Sequence, residues 1–446
     1  MVATFIRTEK HALTTSAVEQ AAVAATLASY REFVRLLAGI IWVHHREISV
    51  AASPVLGVET LFHPTRDRPT PRYALLDRRF HKFPSYLRRA AINAAYGAVC
   101  SFQSNYARWV TGRRSQRNAQ PPSLGRYLAV NPPLYGGQCI RWAADYQQVE
   151  IKLRYAQGWA WSQPMAVKGR PKRLDTTGAE VLSPTLVLHG TGVALHCPVK
   201  VAKPKPVLND IVCAVDVGIN TAATCAIVDS VGTVRARTFL KCGRHNDQRD
   251  KLMAQIRSHA KATCGKGGKL GPGFCRALYQ RISGLNRDAA VQLGRQIMVF
   301  AQAHGATHLV FENLQGWRPK GGRPEMRVRF HRFLHRMLVQ RVQWWAEQAG
   351  LKLALVWPRG TSAWAYDGSG KVIRSRKNYS LCRLPSGRWY NADLNAASNI
   401  AARYLARALG IAPRNRAAVS TGKSSGLTTR MPWVLADLWR HAGAPV

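Results

Sequence analysis

The feature that most constrains this chain is its shortage of acidic side chains. Its 446 residues contain 65 Lys and Arg but only 23 Asp and Glu, a formal net charge of +42 at pH 7. So many like-charged side chains repel one another in a compact state. Binding to nucleic-acid phosphates neutralises them and releases the counterions condensed on the nucleic acid. The composition therefore predicts a nucleic acid as the partner.

The chain nevertheless has the composition of a folded protein. Apolar residues make up 46% of it and include 13 Trp, so burial can offset the entropy of ordering, as it cannot in a disordered basic tail. No run approaches the roughly 20 apolar residues of a membrane span, and Met1 to His11 lacks a signal-peptide apolar region. Nine cysteines without a CxxC pair predict reduced thiols. We expect a cytoplasmic protein with no membrane partner.

The first 200 or so residues predict strands interrupted by a helical block. From Pro121 to Val201, short alternating runs separated by Gly and Pro are typical of a small antiparallel barrel. Upstream, the patterns predict a strand over 3–7, a helix over 15–44, a loop over 54–72 and a helix over 84–110.

A stiff tract, Lys203 to Pro206, predicts a linker to a second domain. Beyond it strands alternate with helices, which indicates an α/β sheet. We expect strands over 211–220, 224–228, 308–312 and 352–357, and helices over 249–258, 283–304 and 330–349.

Three acids stand out in a chain so poor in them. Asp216 lies in the otherwise apolar run Ile211 to Asn220, Glu312 closes a second apolar strand, and Asp393 precedes an Ala-rich helix. A carboxylate in an apolar strand is costly unless it is paired or binds a metal. Taken singly, Asp216 also fits a turn or capping residue, Glu312 a solvent-facing strand end, and Asp393 an N-cap.

Together the three acids predict a metal-dependent hydrolase. If they converge, they can hold two divalent ions that polarise a phosphodiester and activate water, and hard oxygen ligands favour magnesium or manganese. Asp216, Glu312 and Asp393 are therefore the predicted catalytic and metal-binding residues.

The order of these motifs resembles a known family. Asp216-Val-Gly-Ile-Asn-Thr-Ala, Val310-Phe-Glu-Asn-Leu and Asn391-Ala-Asp-Leu-Asn-Ala-Ala-Ser-Asn-Ile resemble the three segments of the split RuvC nuclease domain in TnpB proteins and compact type V CRISPR effectors. The resemblance covers 210–409 directly and is architectural upstream. It implies an RNase H-like fold, a prokaryotic cytoplasmic location and an RNA-guided DNA endonuclease. Its partners would be guide RNA and target double-stranded DNA, with the oligomeric state left open.

This resemblance also implies a mixed, multidomain α/β organisation. A wedge-like β-barrel would comprise 1–14 and 116–202, a helical recognition domain 15–115, a linker 203–206, a RuvC-like domain 207–360 and 390–446, and a target-nucleic-acid-binding insert 361–389.

The insert departs from the family pattern. Where relatives place two CxxC pairs of a zinc ribbon, only Cys382 is present, so no zinc is expected. The side chains predicted to form a small apolar core in its place are Trp364, Tyr366, Leu381 and Trp389.

Two further sets of residues lie near the second motif. A basic cluster is predicted to contact a nucleic-acid backbone rather than only to form a solvated face, and a set of tryptophans is assigned to the core. The cluster is Arg327, Arg329, Arg332 and Arg336, and the tryptophans are Trp344, Trp345 and Trp357.

Two other functions remain open at this point. One is an RNA-guided DNA-binding repressor with little cleavage, against which the intact acids argue. The other is a guide-independent, structure-specific nuclease, against which the long basic N-terminal region argues.

Overall fold

The chain is described by a computed structural model, which divides it into two compact units, 1–202 and 203–446. None of the helices in the described ranges combines the length and apolar character that a membrane crossing requires. The described residues are 4–112, 120–169, 179–190, 192–202, 204, 210–218, 221–264, 270–271, 273–314, 335–375, 377–378, 380–411 and 433–443.

The first unit combines long helices with antiparallel strands. Its helices are α1 (Ala17–Ser49), α2 (Pro54–Phe62), α3 (Ala74–Arg79) and α4 (Ser85–Val110). Its strands are β1 (Thr4–Ala12), β2 (Ile140–Trp142), β3 (Gln148–Tyr155), β4 (Gly158–Trp161), β5 (Met165–Ala166), β6 (Glu180–Val181), β7 (Thr185–His189) and β8 (Gly192–Ala202).

Helix α1 begins at a reciprocal cap. Ser16 Oγ accepts from the Glu19 backbone N–H at 3.2 Å, and Glu19 Oε2 accepts from the Ser16 N–H at 2.8 Å, which satisfies two of the donors that a helix start leaves free. Its buried stripe includes Tyr30, Phe33 and Leu37. This stripe packs with α4 in one continuous core that also contains the strands.

The segment predicted as a loop over 54–72 contains helix α2, so that prediction was wrong over 54–62. Ser53 caps the helix and Pro54 lies in its first turn, where a missing N–H costs nothing. Val58 and Phe62, four residues apart, are completely buried. The Pro and Gly residues of this segment obscured a short helix that packing stabilises.

The strands of the first unit form two antiparallel sheets. In one, β8 pairs with β1, β6 and β7; in the other, β3 pairs with β2, β4 and β5. An isolated antiparallel bridge also joins Leu13 to Val167.

The second unit alternates strands and helices as the sequence predicts. Its strands are β9 (Val212–Asp216), β10 (Ala223–Val228), β11 (Val234–Leu240), β12 (His308–Glu312), β13 (Lys352–Val356), β14 (Ile373–Arg374), β15 (Leu381–Arg383) and β16 (Trp389–Asn391). Its helices are α5 (Gly243–Cys264), α6 (Arg276–Ala303), α7 (His335–Gln348), α8 (Ala392–Ala408) and α9 (Leu435–His441).

A five-stranded mixed sheet forms the centre of this unit. The strand order is β11-β10-β9-β12-β13, with antiparallel pairing among the first three strands and parallel pairing from β9 to β12 and from β12 to β13. Helices α6 and α7 cover one face and α8 and α9 the other. Because both faces are covered, β9, β10 and β12 are almost continuously apolar.

The insert carries a small sheet of its own, in the order β14-β15-β16. Its buried core is not the predicted set of large side chains: Trp389 is 56% exposed. Tyr366 does pack at the edge of the core. The fully buried members are Ala365, Cys382, Leu384 and Ala392.

The position of Cys382 leads to a prediction about metal content. Its Sγ donates to the Tyr390 carbonyl at 3.6 Å from a fully buried position. Cys382→Ser should therefore replace one weak internal hydrogen bond by another, cost about 1 kcal/mol and lower Tm by only about 2–4 °C. Metal analysis of both proteins should find no stoichiometric zinc. One zinc per chain that is lost in the variant would contradict this.

Candidate active site

Asp216 and Glu312 lie at the same edge of the central sheet. Strands β9 and β12 are parallel neighbours with Phe311 opposite Val215, so the next residue of each strand is an acid at its carboxyl end. Ligand sites of parallel sheets form at this edge, just beyond the strand ends.

The alternation of side chains places both acids on the face covered by α8. Val212, Ala214 and Val310, which alternate with the buried residues of the opposite face, pack against α8, and Asp216 and Glu312 continue the same alternation. Asp393 lies in the first turn of α8. The third motif therefore meets the first two because a helix packs on the strands that carry them.

Asp393 is held in place by Thr221, from the segment that follows Asp216, and by the cap of α8. Asn391 Oδ1 accepts from the N–H groups of Asp393 at 3.0 Å and Leu394 at 2.9 Å, which starts the helix there. The Asp393 carboxylate also hydrogen-bonds the Thr221 side chain. Asp393 is thus not the cap itself, the alternative role left open by the sequence; its carboxylate is directed to the segment after β9.

All three carboxyls are partly buried, and burial is the main reason that their pKa values are raised. For Asp216, the negative charges of Glu312 and Asp393 raise the pKa further, so that it lies well above its usual range. Asp216 is therefore the acid on which the negative charge of the other two acts.

Arg374 is a member of the site that sequence analysis did not identify. This exposed residue of β14 lowers the pKa of both Asp216 and Asp393 through its positive charge. The insert therefore brings a cation to the carboxylates. Arg374 lies among other basic residues in the sequence, so no local signal distinguishes it.

Glu312 is oriented by hydrogen bonds. Thr361 Oγ1 donates to Glu312 Oε1, which lowers the pKa of Glu312 against the larger effect of burial. His335, at the start of α7, hydrogen-bonds the Glu312 backbone, and burial lowers the pKa of this histidine. Thr361 is itself 2% exposed, so the contact is shielded from water.

Two buried asparagines of α8 hold the segment that carries Thr361. Asn399 Nδ2 donates to the Thr361 carbonyl at 2.9 Å and to the Trp364 carbonyl at 2.8 Å. Asn395 Nδ2 donates to Trp364 at 2.8 Å, and its Oδ1 accepts from the Tyr366 N–H at the same distance. Two asparagines four residues apart on the buried face of an Ala-rich helix were the signal in the sequence for this role.

One turn further along the same face, Arg403 binds the end of β13. It is 6% exposed; Nη1 donates to the Trp357 carbonyl at 2.6 Å, and Nε and Nη2 have no hydrogen-bond partner among the described residues. Its charge lowers the pKa of Glu312, and burial lowers its own pKa to about 10. Trp357 is 63% exposed, so its assignment to the core was wrong.

The donor set fits a hard divalent cation. Carboxylate oxygens are the ligands that magnesium and manganese prefer, and a cation would offset the repulsion that adds to the effect of burial on the pKa of Asp216. In the described part of the chain, no group of three or more His, Cys, Asp or Glu side chains is arranged to hold a metal ion.

The other predicted residues lie elsewhere. Arg327, Arg329 and Arg332 lie outside the described residues, and Arg336 is exposed on α7. All nine cysteines are free.

Comparison with known proteins gives three results. Residues 7–155 match the model of the Aq_aa04 family. No curated protein matches the sequence. Solved structures do match: a Cas12f1–sgRNA–target DNA complex has 14% identity and a TM-score of 0.46 over 89% of this chain and 99% of that one.

Two further matches are similar in extent. C2c1 of Alicyclobacillus acidoterrestris with single-guide RNA has 11% identity and a TM-score of 0.41, over 86% of this chain and 69% of that one. The mini-RNA-guided endonuclease CRISPR-Cas_phi3 has 12% identity and a TM-score of 0.36, over 66% and 61%. These three structures are among the solved structures to which the chain is similar.

The α8 asparagines lead to a stability prediction. Asn395→Ala leaves the Tyr366 N–H without an acceptor, and Asn399→Ala leaves the Thr361 carbonyl without a donor, so each should cost about 1–3 kcal/mol of unfolding free energy. Ser398→Ala is the control, because this equally buried side chain bonds only the Leu394 carbonyl of its own helix. Its cost should stay below about 1 kcal/mol. Urea unfolding curves measure all three, and equal costs would contradict the assignment.

The raised pKa values lead to a prediction on pH. The folded carboxyls bind protons more tightly than unfolded ones, so they destabilise the fold increasingly as pH rises above about 4 through their raised pKa values. In a chelator at pH 7.5, Asp216→Asn should therefore be more stable than wild type, and the difference should shrink at pH 5. Magnesium should stabilise wild type more than the variant. Parallel urea titrations test this, with Glu347→Gln as a control that follows wild type.

Proposed function

We propose that this chain is a magnesium- or manganese-dependent, RNA-guided DNA endonuclease. The observation that carries the proposal is the meeting of Asp216, Glu312 and Asp393, from three separate segments, at one edge of a mixed sheet. A structural role does not account for three partly buried like charges, whereas binding of divalent cations does.

The topology supports assigning the second unit to the RNase H-like, RuvC-type nucleases that the motifs resemble. The features that support this assignment are three antiparallel strands followed by two parallel ones and the acids at the ends of β9 and β12. On this proposal the small sheet β14-β15-β16 belongs to a target-nucleic-acid-binding insert without zinc, and the first unit comprises a wedge-like barrel and a helical recognition domain.

In this mechanism Asp216, Glu312 and Asp393 would hold the ions. Magnesium or manganese, when bound, would supply polarisation of the scissile phosphodiester and activation of water for in-line attack. Thr361 keeps Glu312 in one orientation through its hydrogen bond, and the α8 asparagines keep Thr361 in place. Arg374 presents a positive charge beside the same carboxylates, where it can bind a phosphate oxygen of the strand.

Guide RNA and target DNA are the partners in this proposal. The net charge of +42 requires a polyanion, and the matching structures are themselves complexes with guide RNA or with guide RNA and DNA. Base pairing with the guide would then supply sequence recognition, while the protein would bind backbone and duplex shape.

The proposal predicts that the acids serve chemistry and not target binding. Asp216→Ala, Glu312→Gln and Asp393→Ala should each reduce cleavage by on the order of a hundredfold or more, because a metal ion contributes several kcal/mol and each 1.36 kcal/mol is a factor of ten. Target affinity should change little, since basic residues and base pairing supply it. Magnesium-dependent cleavage and binding are measured on the same preparations, with the co-purifying RNA sequenced to define the target.

Glu347→Gln is the control for these variants. This acid lies on α7 and accepts a hydrogen bond from Gln343 of the same helix at 3.5 Å, so it should leave cleavage unchanged. Near-normal cutting by Asp216→Ala would exclude the metal site. Cleavage that persists after the RNA is removed would favour a guide-independent nuclease, and guided binding without any cleavage would favour a repressor.

A further inference from the structure

A cleft in the first unit has features that the proposed nuclease site does not explain. It lies between α1, the turn before α4 and the β3–β4 hairpin, and it has a volume of about 1150 Å³. We propose that this cleft, called here the α1–β3 cleft, binds a short single-stranded segment of nucleic acid through its phosphates and one stacked base.

The floor of the cleft is formed by small side chains. Ala21, Ala25 and Ser29, spaced four residues apart along α1, line it on one face. The opposite stripe of α1 is buried in the core of the unit. A long helix supported from behind, with no large side chain on this face, leaves room for a ligand to lie along it.

The two walls are joined by a direct hydrogen-bond chain. Thr26 Oγ1 accepts from the Arg154 backbone N–H at 2.8 Å and donates to the Ala22 carbonyl at 2.8 Å. The hydroxyl is buried, so water does not compete for these bonds. The hairpin is therefore fixed against the helix, and the cleft is preformed.

The charge of the cleft is of one sign. Four Lys and Arg side chains line it, and no acid does. Arg79 is in an ion pair with Glu32, whereas Lys82, Lys152 and Arg154 form no ion pair with a described residue. A cleft lined by one sign of charge concentrates counter-ions, and phosphate groups are the matching ligand for a chain of this composition.

An aromatic wall adds a second binding element. Trp159 is only partly buried, and its ring is braced by Phe83 in an edge-on contact, with ring centroids 5.1 Å apart at 75°. Bases stack on such rings whatever their identity, because each base has a π-face. The cleft thus provides cations for the backbone and a rigid ring for a base.

Lys82 also has an unusual backbone. Its φ is 59°, in the left-handed region that lysine rarely adopts. Such conformations cost energy and occur often where a side chain must be presented in one direction. Here the turn places the Lys82 side chain in the lining of the cleft.

The aromatic wall decides between a single strand and a duplex. In a paired helix the base faces are stacked on one another, so Trp159 would have no partner and only the cations would act. The proposal deepens the proposed function and depends on it only for the source of the strand, which would be guide RNA or an unpaired strand of target DNA.

The test uses full-length protein freed of nucleic acid, in chelator, so that no cleavage occurs. Labelled oligouridine, oligothymidine and a duplex, each of about 10 nucleotides, a length typical of single-stranded sites, are titrated and anisotropy is followed at several salt concentrations. We expect a single strand to bind more tightly than the duplex. Tighter binding of oligouridine assigns the cleft to RNA, and tighter binding of oligothymidine assigns it to DNA. Equal binding of the two means that the cleft accepts either backbone. Tighter binding of the duplex overturns the proposal.

Variants test the assignment to the cleft. Lys82→Ala and Arg154→Ala, both at exposed side chains, should each weaken single-strand binding and reduce the salt slope by about 0.7. Arg46→Ala, in the last turn of α1 outside the cleft, removes the same charge and should have a smaller effect. Trp159→Ala should weaken single-strand binding about 5- to 150-fold and leave duplex binding nearly unchanged.

Two further comparisons keep the result interpretable. Trp159→Phe retains a ring and should bind better than Trp159→Ala, which separates stacking from loss of fold. Cleft variants that bind like Arg46→Ala overturn the inference even if Asp216→Ala abolishes guided cleavage. The converse result is a wild-type protein that never cleaves DNA, with cleft variants that still lose single-strand binding. That result refutes the proposed nuclease and leaves the cleft assignment standing.

Discussion

The repulsion among three carboxylates at one sheet edge is the constraint on which the second unit depends. Asp216, Glu312 and Asp393 are brought near one another in a partly buried position, where like charges interact more strongly than in water. The apolar layers on both faces of the sheet must offset this cost. A divalent cation would offset it locally, so ion binding and stability of this edge are expected to be linked.

Helix α8 connects the chemistry of the site to its stability. Its first turn carries Asp393, and another face of the helix directs Asn395, Asn399 and Arg403, spaced four residues apart, to backbone carbonyls of the segment beyond β13. That segment contains Thr361, which orients Glu312. One helix therefore positions two of the three acids, one directly and one through a neighbouring loop, and a shift of α8 would move both.

The two units use charge in opposite ways. In the second unit acids are concentrated at one place in a chain that has few of them, and a bound metal ion would reduce the repulsion on Asp216. In the first unit, cations line an open cleft that no acid lines, and a phosphate backbone would reduce the repulsion among them. Both arrangements are costly without a ligand, and both are supported by a well-packed apolar core.

The sequence alone determined strands β9, β10, β12 and β13 and most of the helices, and it singled out the three acids as candidates. Strands such as β12 and helices such as α4 were recognisable because periodicity is local, and the acids were recognisable because each interrupts an apolar or Ala-rich run. The tertiary structure decided which residues support them. Arg374, Thr361 and Arg403 reach the acids from distant segments, and neither sheet register nor helix packing can be read from local pattern. The exposure of Trp357 and the membership of the core around Cys382 were missed for the same reason: burial depends on what lies opposite a side chain, which only the folded chain defines.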